Sequence, residues 1–351
     1  MRDSSSLQPS RAVANWLLVG VGMIIVQIIL GGITRLTESG LSITEWKPIT
    51  GALPPLTTEA WMVEFEKYKH TDQFRYIHAD FSLSNFKFIF FWEWFHRLWA
   101  RLLGVVFIIG FVYFLIKKQF KQEMIIPMII LFLLGAAQGA VGWIMVKSGL
   151  VPEQMFVGHV ELTTHFIAAL VLLCYTFWFA LSLLIPPEKF VRNRTLKNIT
   201  LTIIVILTIQ LIYGGLMAGL KAATAAPTWP DINGSILPKG DLLVPWWKSL
   251  TGNKIVVQFI HRGIAYVLLL LTILWYVKAR RLTSARLFVV TRCMPIVLVL
   301  CQVVLGIATV LRSPYGNELV YFGAAHQLVG ILFLLSIVWM LYLVRDSKAA
   351  L

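Results

Sequence analysis

Eight separate apolar runs, each long enough to cross a bilayer, dominate what this chain can fold into. They are read as helices at roughly 13–34, 87–116, 124–146, 157–185, 198–220, 253–277, 288–311 and 320–344. About 20 residues at ~1.5 Å each span the ~30 Å hydrocarbon core, and a spanning segment must satisfy its own backbone there, which selects the helix. Composition agrees: 58% of the 351 residues are hydrophobic, 14% are charged, and mean hydropathy is +0.76. A soluble chain cannot hide that much apolar surface. The predicted class is an all-α integral membrane protein.

The net charge of +14 raises the question of nucleic acid, but its distribution answers it. The bases crowd short loops: Lys117, Lys118 and Lys121; Lys189, Arg192, Arg194 and Lys197; Lys278, Arg280, Arg281 and Arg286; then Arg345 and Lys348 in the tail. That is the positive-inside pattern of a membrane protein with both termini cytoplasmic, and no nucleic-acid role is expected. The long loops 35–86 and 221–252 then lie outside, where Trp46, Trp229, Trp246 and Trp247 suit the membrane interface. Cys174, Cys293 and Cys301 fall in or beside apolar runs without a CxxC motif, so no structural disulfide is expected. Only about ten polar residues precede the first run, so it is read as a retained helix rather than a cleaved leader.

The first four runs resemble the last four. Gly31, Trp46 and Pro55 answer Gly214, Trp229 and Pro238 at a constant offset of 183. Glu93-Trp94-Phe95-His96-Arg97 answers Gln258-Phe259-Ile260-His261-Arg262. Gln138 and Gly142 answer Gln302 and Gly306, and Thr164-His165-Phe166 answers Ala325-His326-Gln327. An even number of spans per repeat keeps both halves in one orientation. The expected architecture is therefore two pseudo-twofold-related four-helix bundles, an N-terminal half at 1–197 and a C-terminal half at 198–351.

Seven histidines occur. His70 and His78 are read as solvated loop residues, and His159 as an interface residue at the start of the fourth run. His96, His165, His261 and His326 differ, lying one per even-numbered run, 6 to 9 residues past its expected start. At ~1.5 Å per residue they share a depth of roughly 9–14 Å below the outer surface. Polar side chains inside a bilayer are costly and usually functional. Two parallel helices offering an imidazole at one level can clamp a flat ring from both faces, as bis-histidine heme sites do. Zinc or copper would lack ligands, since each half offers two imidazoles without cysteine or carboxylate partners. Arg97 and Arg262, with Arg35 or Lys254, are candidates to neutralise heme propionates; snorkelling explains these side chains equally well.

The halves differ at one telling place. Glu93 lies one helical turn before His96, on the same face, and its counterpart is the neutral Gln258. A carboxylate beside a heme can carry protons or offset positive charge, which an amide cannot. Chemistry is therefore expected in the first half and a permanent cofactor in the second. The plainer alternative is an ion pair between Glu93 and Arg97.

These motifs together resemble the heme A synthase family, whose members make heme A from heme O for terminal oxidases. The match runs over about 13–345 and rests on E-x-x-H-R at 93–97, T-H-F at 164–166, H-R at 261–262 and A-H at 325–326. The resemblance implies oxidation of a ring methyl of heme O to a formyl group, by successive hydroxylations and loss of water. It implies that His96 and His165 hold the substrate, that Glu93 is the catalytic carboxylate, and that His261 and His326 ligate the iron of a resident heme b. Some bacterial members carry an outer-loop cysteine pair; this chain has none there, like the proteobacterial and mitochondrial branch. The electron donor, the oligomeric state and docking of a heme O synthase or an oxidase assembly factor stay open.

A di-heme b-type electron-transfer protein would use the same four histidines. It would not need an acid at one heme only, and ligands at one depth set hemes side by side rather than stacked through the bilayer. A two-half transporter would be expected to show scattered intramembrane charges or broken helices.

Overall fold

The computed structural model describes residues 11–45, 50–238, 242–283 and 285–345, so Trp46 and Lys348 lie outside the described residues. The helices are α1 (Arg11–Leu36), α2 (Thr58–Lys69), α3 (Asp72–Ile77), α4 (Leu83–Ile116), α5 (Gln122–Gly149) and α6 (His159–Leu184). The second half continues with α7 (Arg194–Gly219), α8 (Ser249–Gly252), α9 (Lys254–Ala279), α10 (Arg286–Thr291), α11 (Met294–Leu311) and α12 (Gly316–Leu343). Eight spans among the described residues are long and apolar enough to cross a membrane, with α10 and α11 counted as one.

Capping residues decide where the spans begin. α4 starts earlier than its apolar run because the Ser82 hydroxyl accepts from the Asn85 N–H, and α7 starts early because Asn193 accepts from the Leu196 N–H. The seventh span is broken at Arg292 and Cys293. Pro295, at the start of α11, has no N–H to bond back into the preceding turn. At the break the Arg292 guanidinium turns to the end of α9, donating to the carbonyls of Ala279 (3.2 Å), Arg280 (3.1 Å) and Leu282 (2.6 Å). Cys174, Cys293 and Cys301 are free thiols.

In the first half α1 packs on α4 and α6, and α5 on α6. In the second half α7 packs on α9 and α12, and α11 on α12. The halves meet through α1 against α12 and α6 against α7. Lipid supplies little hydrophobic drive between helices, so close approach of small residues matters most. A Cβ on Gly32 would lie 1.8 Å from the Gln327 amide oxygen on α12, and one on Gly215 would lie 2.9 Å from Thr163 on α6. The second glycine of each repeated pair thus sits where one half passes the other.

The long loop between α1 and α4 is folded rather than open. α2 and α3 close over a small core of Phe65, Tyr68, Phe86, Ile89 and Phe90. This corrects the reading of His78 as a solvated residue: it is only 6% exposed. Its ring stacks on Phe81 at 3.8 Å, and Nδ1 lies 2.6 Å from the Tyr68 hydroxyl. The loop makes its own core, and a histidine within it is buried with it. His70, by contrast, is exposed as expected.

His78 Nε2 also lies 3.6 Å from Glu38, which forms an ion pair with Lys221. Glu38 and Lys221 occupy equivalent places in the repeat, at the same offset of 183, and both take positive φ (58° and 52°) just past α1 and α7. The nearby His78 imidazole, then Lys221, holds the Glu38 carboxyl down at about 2 against an ordinary 4.5, although burial works the other way. A depressed carboxyl stabilises the fold above its unfolded value and loses that contribution as pH falls towards the folded one. Glu38→Gln should therefore melt below the parent at pH 7, with the gap closing between pH 4.5 and about 2, as thermal unfolding in detergent would measure.

Candidate heme-binding sites

Each of the four intramembrane histidines rests against a neighbouring helix in the same way. His96 on α4 faces α1, His165 on α6 faces α5, His261 on α9 faces α7 and His326 on α12 faces α11. In every case the ring turns Cε1 towards a glycine. A Cβ there would stand 3.1 Å away at Gly31, 2.8 Å at Gly142, 3.5 Å at Gly214 and 3.0 Å at Gly306. One turn before each glycine, a glutamine amide reaches a ring nitrogen: Gln27 to His96 at 3.2 Å, Gln138 to His165 at 3.2 Å, Gln210 to His261 at 3.3 Å and Gln302 to His326 at 3.3 Å.

Reading the sequence for its repeat caught Gln138 and Gln302 but missed Gln27 and Gln210. The signal is Q-x-x-x-G, present once in each odd-numbered span. Gln and Gly at that spacing share a helix face, the glycine admitting the imidazole and the amide holding it.

A heme fits this donor set. The His261 and His326 rings stand 6.4 Å apart between centroids, with planes at 71°. Two imidazoles on one iron, each with a metal–nitrogen bond of about 2 Å, place their centroids about 6.3 Å apart. Nδ1 of His261 and of His326 is buried without a hydrogen-bond partner. As whole residues His96, His165, His261 and His326 are part-buried rather than fully enclosed. The amide oxygens of Gln27, Gln138, Gln210 and Gln302 are likewise buried and unpartnered, at a cost of about 1–3 kcal/mol each.

Glu93 is 3% exposed and held by three donors. Arg97 Nη2 donates to Oε1 at 2.5 Å, while the Ser42 hydroxyl and the Ile43 N–H donate to Oε2 at 2.7 and 2.9 Å. The ion pair with Arg97 is thus present, and Ser42 and Ile43 of the loop after α1 join it. Arg97 also donates to the Ile43 carbonyl at 3.2 Å.

The second half repeats the frame with different chemistry. Ala226 stands where Ile43 does, and its carbonyl accepts from both Gln258 and Arg262 at 3.2 Å. Arg262 adds the carbonyls of Thr228 and Asp231, each at 2.8 Å. Both arginines fasten a long loop onto the histidine helix. Only the first half places an anion there. His159 lies outside this set: it begins α6, its Cβ within 2.7 Å of where a Gly219 Cβ would be.

The halves also differ in closure. α9 packs against α11, whereas the equivalent α4 and α5 barely touch. Gly104 on α4, Gly135 and Gly139 on α5, and Gly263 on α9 all have open space beside them.

Comparison with known proteins gives the family. A family model described as "Cytochrome oxidase assembly protein" matches residues 14–338. A protein from Flavobacterium psychrophilum named heme A synthase is 39% identical over 97% of this chain and 100% of its own length. One of the same name from Bradyrhizobium diazoefficiens is 40% identical over 93% of this chain and 90% of its own. Another from Rhodopseudomonas palustris is 42% identical over 79% and 77%. The chain belongs to the cytochrome oxidase assembly protein family that includes the heme A synthases.

Proposed function

We propose that the chain is a heme A synthase of the bacterial inner membrane, with cytoplasmic termini. It oxidises a ring methyl of heme O to the formyl group of heme A. The observation that carries this reading is Glu93, an anion set into one of two otherwise matched frames.

The N-terminal half takes the substrate, with His96 and His165 as its axial holders. The loose α4–α5 seam supports this, since an exchanged substrate needs a door to the lipid where it dissolves. The C-terminal half, closed by α9 against α11, holds heme b between His261 and His326. When bound, heme b supplies one-electron redox chemistry.

The protein's own part is positional and electrostatic. Gly31 and Gly142 let the helices approach the ligating rings. Ser42, the Ile43 N–H and Arg97 fix Glu93 at the outer end of the site. From there Glu93 takes protons released as the methyl is oxidised, or offsets the positive charge that develops. The ion pair between repeat-equivalent Glu38 and Lys221 supports a pseudo-twofold relation of the halves.

Expression with a source of heme O, followed by heme extraction, tests the reading. Heme A should accumulate in addition to bound heme b. Bound heme b without heme A would favour the di-heme electron-transfer protein.

A further inference from the structure

The glutamines carry an inference that rests on the preceding reading of heme b between His261 and His326. We infer that Gln210 and Gln302 are positioning residues that set the electron-donating strength of the iron-ligating imidazoles, through the ring nitrogen that iron does not take.

The argument starts from the repetition. The glutamine–glycine–histidine trio occurs four times, including the half that has Gln258 in place of a carboxylate. A feature common to both halves serves what both share, which is holding an imidazole. An imidazole that binds a metal through one nitrogen carries its proton on the other, and that N–H needs an acceptor. Within the C-terminal pair the structure offers one candidate per ring. The Gln210 carboxamide lies 3.3 Å from Nε2 of His261, and the Gln302 carboxamide lies 3.3 Å from Nε2 of His326, so the unpartnered Nδ1 of each ring is the nitrogen left for iron.

Each carboxamide turns its nitrogen to the ring and leaves its oxygen buried without a partner. That is the arrangement for a ring nitrogen bearing a lone pair. Once iron takes one nitrogen, the other bears hydrogen, and the amide oxygen becomes the matching group. Half a turn about the last side-chain bond exchanges the two, and no existing bond of the oxygen is lost. Such acceptors fix ring orientation and raise ligand basicity, so they influence both affinity and potential.

The test uses the full chain purified with its bound heme b, carrying Gln210→Leu, Gln302→Leu, Gln210→Glu or Gln302→Glu. The readouts are the midpoint potential by redox titration and the low-spin optical and EPR signature. Leucine removes the acceptor, so the potential should rise and heme affinity should fall by about 10–100-fold. Glutamate is a stronger acceptor of the same shape, so the potential should fall while heme is retained. Opposite shifts from the two replacements support the inference, because a packing role would move both the same way or neither. An unchanged potential in the glutamate variants overturns it, even if the leucine variants fail to assemble. His261→Ala, run alongside, separates this outcome from failure of the site reading. If that protein keeps its heme b, the site is misplaced; if it loses heme while the glutamine variants keep an unaltered potential, only the role of the glutamines is wrong.

Discussion

His261→Ala or His326→Ala should yield protein that purifies without stoichiometric heme b and makes no heme A. The two rings stand 6.4 Å apart, and each has a buried nitrogen with no partner in the protein. Removing either leaves the iron with one protein ligand. The space between the helices then holds a glutamine amide facing a missing ring. A cofactor held at ~1000 times its dissociation constant adds about 4 kcal/mol to the folded state, so the variants should also melt earlier. His96→Ala and His165→Ala should behave differently: the resident heme b spectrum persists while heme A is lost, because those rings serve the exchangeable substrate. Heme content by optical spectroscopy and extracted product measure the two outcomes separately. Should His96→Ala strip the resident heme and His261→Ala spare it, the roles of the halves are reversed.

What the sequence reveals of this site follows from the range of each interaction. The eight spans are visible because apolar length is a property of consecutive residues. Glu93, His96 and Arg97 could be placed on one helix face because helical periodicity is local. Helix ends were less legible, since Ser82 and Asn193 extend α4 and α7 by capping rather than by hydropathy. α2 and α3 were missed, and with them the burial of His78, because a short helix closing a loop leaves little periodic signal. Gln27 and Gln210 were overlooked for another reason. A single polar residue in a long apolar run is easily passed over, and only the fourfold recurrence of Q-x-x-x-G sets it apart. The contacts of Glu93 with Ser42 and Ile43 join residues about fifty positions apart through a loop, and no local pattern specifies them.

Glu93→Gln should cut heme A formation by about 10²–10⁴-fold, the usual worth of a positioned acid or base, while the heme b spectrum of the C-terminal half stays unchanged. The substitution keeps the shape and gives this half the amide that its partner already carries at Gln258. It has a structural consequence that must be separated from the chemical one. Arg97 loses its counter-charge in a half-buried position, and breaking such a pair can cost about 3–5 kcal/mol when burial is complete. The cost here should be smaller, since Arg97 keeps the Ile43 carbonyl, as Arg262 keeps the Ala226 carbonyl opposite a neutral Gln258. The second half is thus a natural precedent for the amide. Glu93→Asp supplies the other arm: a carboxylate withdrawn by one methylene should recover part of the activity, which a loss of folding would not explain. Rates are to be compared at equal heme b content, so that unassembled protein does not count against the chemistry. Full activity in Glu93→Gln would reduce Glu93 to a strut holding the outer loop, and the difference between the two halves would no longer say which one does the chemistry.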